Sequence, residues 1–90
     1  MPRYAMLAQG SVQGVGFRWA AQRSAQSCGL TGWVRNRADG CVELEVQGDS
    51  AAVSEFSAAL RRGTGYSRLE RLDIREIPEL PEEQGFRVRY

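Results

Sequence analysis

The stretch Cys41-Val42-Glu43-Leu44-Glu45-Val46-Gln47 alternates apolar and polar side chains without a break after its first residue. Successive residues of a strand point to opposite faces, so Val42, Leu44 and Val46 predict a buried face and Glu43, Glu45 and Gln47 a wetted one. A sheet built around such a strand is covered on one side only. Downstream, Gly48 ends the run and Asp49 or Ser50 can cap a helix whose buried stripe is Val53, Phe56, Ala59 and Leu60. Arg61, Arg62 and Gly63 stop that helix. Upstream, Asn36-Arg37-Ala38-Asp39-Gly40 ends in the Asp-Gly pair of a hairpin turn, which joins a strand over Leu30 to Arg35 to the alternating one.

Working further outward, Tyr4 to Gln9 reads as a first strand. Phe17, Ala20, Ala21, Ser24 and Cys28 recur at helical spacing, with Gly29 available as a left-handed cap. Leu69, Leu72, Ile74 and Ile77 predict another strand ending at Pro78, and Phe86, Val88 and Tyr90 a short last one after an acidic, proline-containing turn. The order is βαββαβ and a closing β. Two helices with one apolar stripe each, and a sheet with one polar face, fit a two-layer sandwich with both helices on the same side. The predicted fold is therefore α+β, a ferredoxin-like antiparallel sheet covered on one face.

Ninety residues bound this to a single domain, 1–90, with one modest core. Twelve Lys and Arg against eleven Asp and Glu give a net charge of +1, so there is no bulk attraction for nucleic acid or acidic membranes. Histidine is absent, which removes the usual acid/base residue at neutral pH and the commonest metal ligand. Cys28 and Cys41 show neither zinc-site spacing nor the density of a disulfide scaffold, and read as buried thiols of a reducing compartment. No signal-peptide pattern or membrane-length apolar run occurs, so a cytoplasmic location is expected.

The segment Gly10-Ser11-Val12-Gln13-Gly14-Val15-Gly16-Phe17-Arg18 places three glycines and an arginine where a strand hands over to a helix. Glycine lets the backbone curl so that successive N–H groups converge, and the helix start adds its own unpaired N–H groups. A phosphate fits such a cradle, and Arg18 adds a planar fork of charged donors. On its own the pattern also describes a plain tight turn, and Arg18 an arginine paired with a surface carboxylate.

A second motif adds to the first. Val12-Gln13-Gly14-Val15-Gly16-Phe17-Arg18 and Gly32-Trp33-Val34-Arg35-Asn36, followed by Arg37-Ala38-Asp39-Gly40-Cys41-Val42 and Gly48, together resemble the two signature regions of the acylphosphatase family. The likeness extends through the element order to Phe86-Arg87-Val88-Arg89-Tyr90. It implies hydrolysis of acyl phosphates to carboxylate and inorganic phosphate, with Gln13, Gly14, Val15, Gly16, Phe17 and Arg18 holding the phosphoryl group. Asn36 then orients the attacking water. The resemblance implies a small-molecule substrate, no metal, no cofactor, no nucleic-acid or membrane partner, and a monomer. One departure is Gly63-Thr64-Gly65-Tyr66-Ser67-Arg68, where many relatives have Gly-Pro, a connection expected to lie clear of the site.

The residues suit that chemistry. An acyl phosphate is a mixed anhydride whose carboxylate leaves unaided near pH 7, so no general acid is required and the missing histidine is no obstacle. Asparagine has no useful basicity, but its amide can accept from water and donate to a substrate oxygen. Asn36 also sits where asparagine commonly serves a turn. Glu43 and Glu45 read as wetted surface, and Trp33, Phe17 and Val15 as packing; Trp19 and Tyr90 are left open. Two other readings stand beside hydrolysis. One is a module that binds a phosphorylated metabolite without turnover; the other is an RNA-binding module of the same layer order, disfavoured by the acidic face of the alternating strand.

Overall fold

A computed structural model describes residues 1–90. The elements are β1 (Arg3–Ser11), α1 (Phe17–Ser27), β2 (Thr31–Asn36), β3 (Val42–Gln47), α2 (Ser50–Arg62), β4 (Arg68–Ile77) and β5 (Phe86–Arg89). They form one five-stranded sheet in the order β4-β1-β3-β2-β5. Both helices cover the same face, α1 over β2 and β5 with α2 beside it. The alternation in β3 holds except at Gln47, which was expected to be wetted and is buried: Val42, Leu44 and Val46 are buried, and they face Met6 and Ala8 of β1 and Val34 of β2 in a core of fifteen apolar side chains. Phe56 of α2 meets Phe86 of β5 with ring centroids 6.2 Å apart, a tilted pair that closes the core between the helix layer and the edge strand.

The sheet is mixed where an antiparallel one was expected. β1, β2, β3 and β4 pair antiparallel, but β5 runs parallel to β2. The reason is the path of the chain. β4 and β5 are opposite edges, so the segment between them crosses beneath one end of the sheet and β5 must set off in the direction of β2.

That crossing is fastened by a group no periodicity reveals. Arg3 is only 2 % exposed. Its guanidinium grips both oxygens of Glu83 at 2.7 and 3.2 Å, and donates to Glu45 at 2.9 Å and to Gln47 at 3.3 Å. Gln47 in turn accepts from the Leu80 N–H at 2.8 Å and donates to the Leu80 carbonyl at 3.1 Å. Burial alone would raise the Glu83 carboxyl, but Arg3, with Thr31 and Arg89, holds it below its ordinary range. The connection is thereby set, and with it the strand that carries Val88 toward the other end of the sheet.

Several expectations change at the level of side chains. The buried seam of α1 is Phe17, Ala21 and Ala25, with Ala20, Ser24 and Cys28 only half-buried at its margin. Both cysteines are half-buried, not buried, and free. Trp33 is not core: it lies on the open face, with Arg35 and Arg89 stacked 5.7 and 4.6 Å from its ring centroid. Glu43 and Glu45 are half-buried there, ion-paired with Arg35 and Arg3. Gly32 approaches β3 so closely, at φ 142°, that a Cβ would sit 1.8 Å from the Glu45 carbonyl oxygen, so this position of β2 admits no side chain.

Candidate active site

The end of the sheet opposite Arg3 gathers the C-terminus of β1, the end of β2 and the end of β5 around the start of α1. Gly16 is the N-cap of α1 at φ 78°, and Gly14 is also left-handed at φ 73°. Neither would crowd a Cβ, so glycine is needed there for its backbone conformation alone. A Ser, Asp or Asn cap would have turned its oxygen onto the first helical amides. Glycine cannot, α1 has no acidic residue in its first turn, and from Gly14 through Arg18 no N–H donates to a protein acceptor. The result is a run of free donors at the positive end of a helix.

These donors face a cleft of about 530 Å³ lined by Gly14, Gly16, Arg18 and Asn36. Arg18 is half-exposed and forms no ion pair with any carboxylate, so the surface-pair reading of this residue fails. Its guanidinium lies instead on the Tyr90 ring, 4.9 Å from the centroid. Asn36 is the last residue of β2, with its register partner Val42 in the core. Its Oδ1 is buried and accepts no hydrogen bond from the protein. Its backbone is not left-handed either, since Glu82 is the one non-glycine residue at positive φ, so no turn geometry calls for asparagine here. An unpaired buried acceptor costs about 1–3 kcal/mol.

Gln13 and Val15 stand apart from the cleft wall. Gln13 Nε2 donates to the carbonyls of Arg37 at 2.7 Å and Cys41 at 2.9 Å, lashing the glycine loop to the β2–β3 hairpin. Phe17 is core, and its ring roots the loop. Asp39 belongs to the turn: its Oδ1 accepts from the Cys41 N–H at 3.1 Å. That bond first, and the Arg37 charge with it, outweigh the effect of burial and hold the Asp39 carboxyl below its usual range, so it carries no proton at neutral pH. Burial and Asp39 push the Cys41 thiol up, which leaves it a poor nucleophile.

The sequence model of the acylphosphatase family matches residues 4–88. The chain belongs to the acylphosphatase family. It is 41 % identical over its whole length to an acylphosphatase of Geobacillus thermodenitrificans, covering 96 % of that protein, and 46 % identical over 88 residues to one of Methylococcus capsulatus, 98 % of this chain and 96 % of the relative. The crystal structure of acylphosphatase from Bacillus subtilis superposes with a TM-score of 0.96 at 36 % identity, each chain fully covered. The chain is accordingly a hydrolase acting on acyl phosphates.

Within this acylphosphatase fold, the connection after α2 does reach the loop, contrary to expectation. Thr64 Oγ1 donates to the Val15 carbonyl at 3.1 Å while accepting from the N–H groups of Tyr66 and Ser67, each at 3.2 Å. Ser67 Oγ returns the bond by accepting from the Thr64 N–H at 3.1 Å. Such an ST-turn is legible in Thr64-Gly65-Tyr66-Ser67, but its contact with a loop forty-nine residues away is not. Trp19 and Tyr90, left open by the sequence, both line the cleft.

Proposed function

We propose that the amides from Gly14 through Arg18 and the Arg18 guanidinium hold the phosphoryl group while Asn36 orients the water that attacks phosphorus. The observation that carries this reading is that Asn36, whose Oδ1 no protein group satisfies, lines the same cleft as Gly14, Gly16 and an arginine without a carboxylate. The Asn36 amide offers the water both an acceptor and donors, while the loop amides and Arg18 carry the phosphoryl group. The new bond joins the water oxygen to phosphorus, the bond from phosphorus to the carboxylate oxygen breaks, and the water proton passes to the phosphate released. The products are carboxylate and inorganic phosphate. In a loose transition state the protein contributes alignment and charge, which these groups are suited to provide.

No aspartate, glutamate, histidine or cysteine lines the cleft, and Asp39 is held outside it in its turn. Alkyl phosphate monoesters, which need a proton on the departing alkoxide, are therefore poor substrates. Turnover of acetyl phosphate is compared with that of an ethyl phosphate control at matched pH, and inorganic phosphate is tested as an inhibitor. The expected result is turnover of the acyl phosphate alone, with competitive inhibition by phosphate. Comparable rates on both substrates, or purely noncompetitive inhibition, refute the assignment.

A further inference from the structure

The cleft is much larger than a phosphoryl group requires, and its volume lies in the range of sites that enclose a whole organic ligand. Beyond Arg18 and Asn36 its wall is built by Trp19 and Gln22 of α1 and by Arg87, Val88 and Tyr90 along β5 and just past its end. No aspartate or glutamate lines it. Trp19 is 61 % exposed although it is the residue after Arg18, and burying so large an apolar ring is normally favourable. One face of the indole is covered by Arg23, whose guanidinium carbon lies 4.9 Å from the ring centroid, and this stacking steadies the ring. The chain thus keeps an oriented, solvent-facing aromatic surface one residue from the proposed phosphate anchor.

We infer that Trp19 selects the acyl group: it forms, with Val88, the wall against which a planar apolar acyl group packs while its phosphate occupies the loop. The inference rests on the proposed phosphate site and adds the substrate class, acyl phosphates with an aromatic or otherwise flat apolar acyl part. A small acyl group such as acetyl reaches only the phosphate end. An acyl group bearing its own carboxylate gains nothing from the indole. Tyr90 lies on the same wall, but its ring also rests on Arg18, so replacing it would disturb the anchor and confuse the two roles. Trp19 is free of that complication, and its exposure means that replacement leaves the core untouched.

The test compares kcat/KM for benzoyl, acetyl and succinyl phosphate in the natural chain, Trp19→Ala and Trp19→Phe, with the inhibition constant of inorganic phosphate measured in each. Differences in intrinsic reactivity cancel when each substrate is compared between proteins. An aromatic contact of ordinary strength predicts that Trp19→Ala loses about three- to tenfold on benzoyl phosphate relative to the other two, and that Trp19→Phe recovers most of the loss. The phosphate inhibition constant stays the same. An unchanged benzoyl-to-acetyl ratio overturns the inference, as does an equal fall on all three substrates. Failure of the phosphate site itself shows separately, as the absence of competitive phosphate inhibition in the natural chain.

Discussion

Replacing Asn36 by valine separates a catalytic role from a structural one by the sign of the stability change. Asn36 ends β2 with ordinary backbone angles, so a β-branched residue is accepted there. Its Oδ1 is buried without a partner, a defect worth about 1–3 kcal/mol in a fully enclosed setting. The residue as a whole is half-buried, so relief near the lower bound, about 1 kcal/mol, is expected. In a domain of this size that raises Tm by roughly 4–8 °C. Activity moves the other way: losing a group that positions a reactant lowers kcat by about 10²–10³-fold, the scale seen for a single preorganised donor. The inhibition constant for inorganic phosphate, which reports the loop and Arg18, stays within about twofold, a difference of less than 0.5 kcal/mol. Calorimetry, steady-state kinetics and phosphate inhibition on one preparation give the three numbers. A variant that melts lower than the natural chain, with activity reduced only in proportion to its unfolded fraction, refutes the reasoning and makes Asn36 a structural residue.

Arg18→Lys keeps the charge but loses the planar fork, so kcat/KM falls by about 10- to 100-fold, the worth of one charged hydrogen bond, with Tm unchanged; near-normal turnover refutes the anchor. Thr64→Val removes the hydroxyl that ties Val15 to the following turn and accepts from the Tyr66 and Ser67 amides. The loss is about 1 kcal/mol, seen as a Tm lower by roughly 4–8 °C and a weaker phosphate inhibition that Thr64→Ser restores; an unaltered Tm and inhibition constant show the latch to be idle. Glu83 has a folded pKa below its unfolded value near 4.3, so its contribution to stability is complete above that pH and is lost as the pH falls through the folded value. Glu83→Gln is therefore less stable than the natural chain at pH 7, and urea midpoints of the two converge as the pH falls below that unfolded value; a gap that is constant with pH contradicts the Arg3 pairing.

The sequence by itself determined the layers and the reaction class. Period-two alternation in Val42 to Gln47 and helical spacing in Val53 to Leu60 are local consequences of which face meets water, and they required a one-sided sheet. The loop was legible for the same reason: left-handed positions need glycine, so Gly14 and Gly16 announce a backbone that turns its amides outward. Arg18 was picked out by its place at the end of that loop, and Asn36 by motif likeness, since asparagine is not diagnostic alone. What the sequence left undecided depends on contacts between distant segments. The direction of β5 follows from a crossing held by Arg3, Glu45, Gln47 and Glu83, groups scattered over eighty positions whose pairing has no period. Trp33, apolar and flanked by Val34, looked like core until the register put it on the open face under two arginines. Thr64 touches Val15, and Trp19 and Tyr90 meet over one cleft, only because the fold brings the start of α1, the turn after α2 and the end of β5 to the same end of the sheet. Local pattern fixes how a residue faces its own element, and tertiary structure alone fixes what stands opposite it.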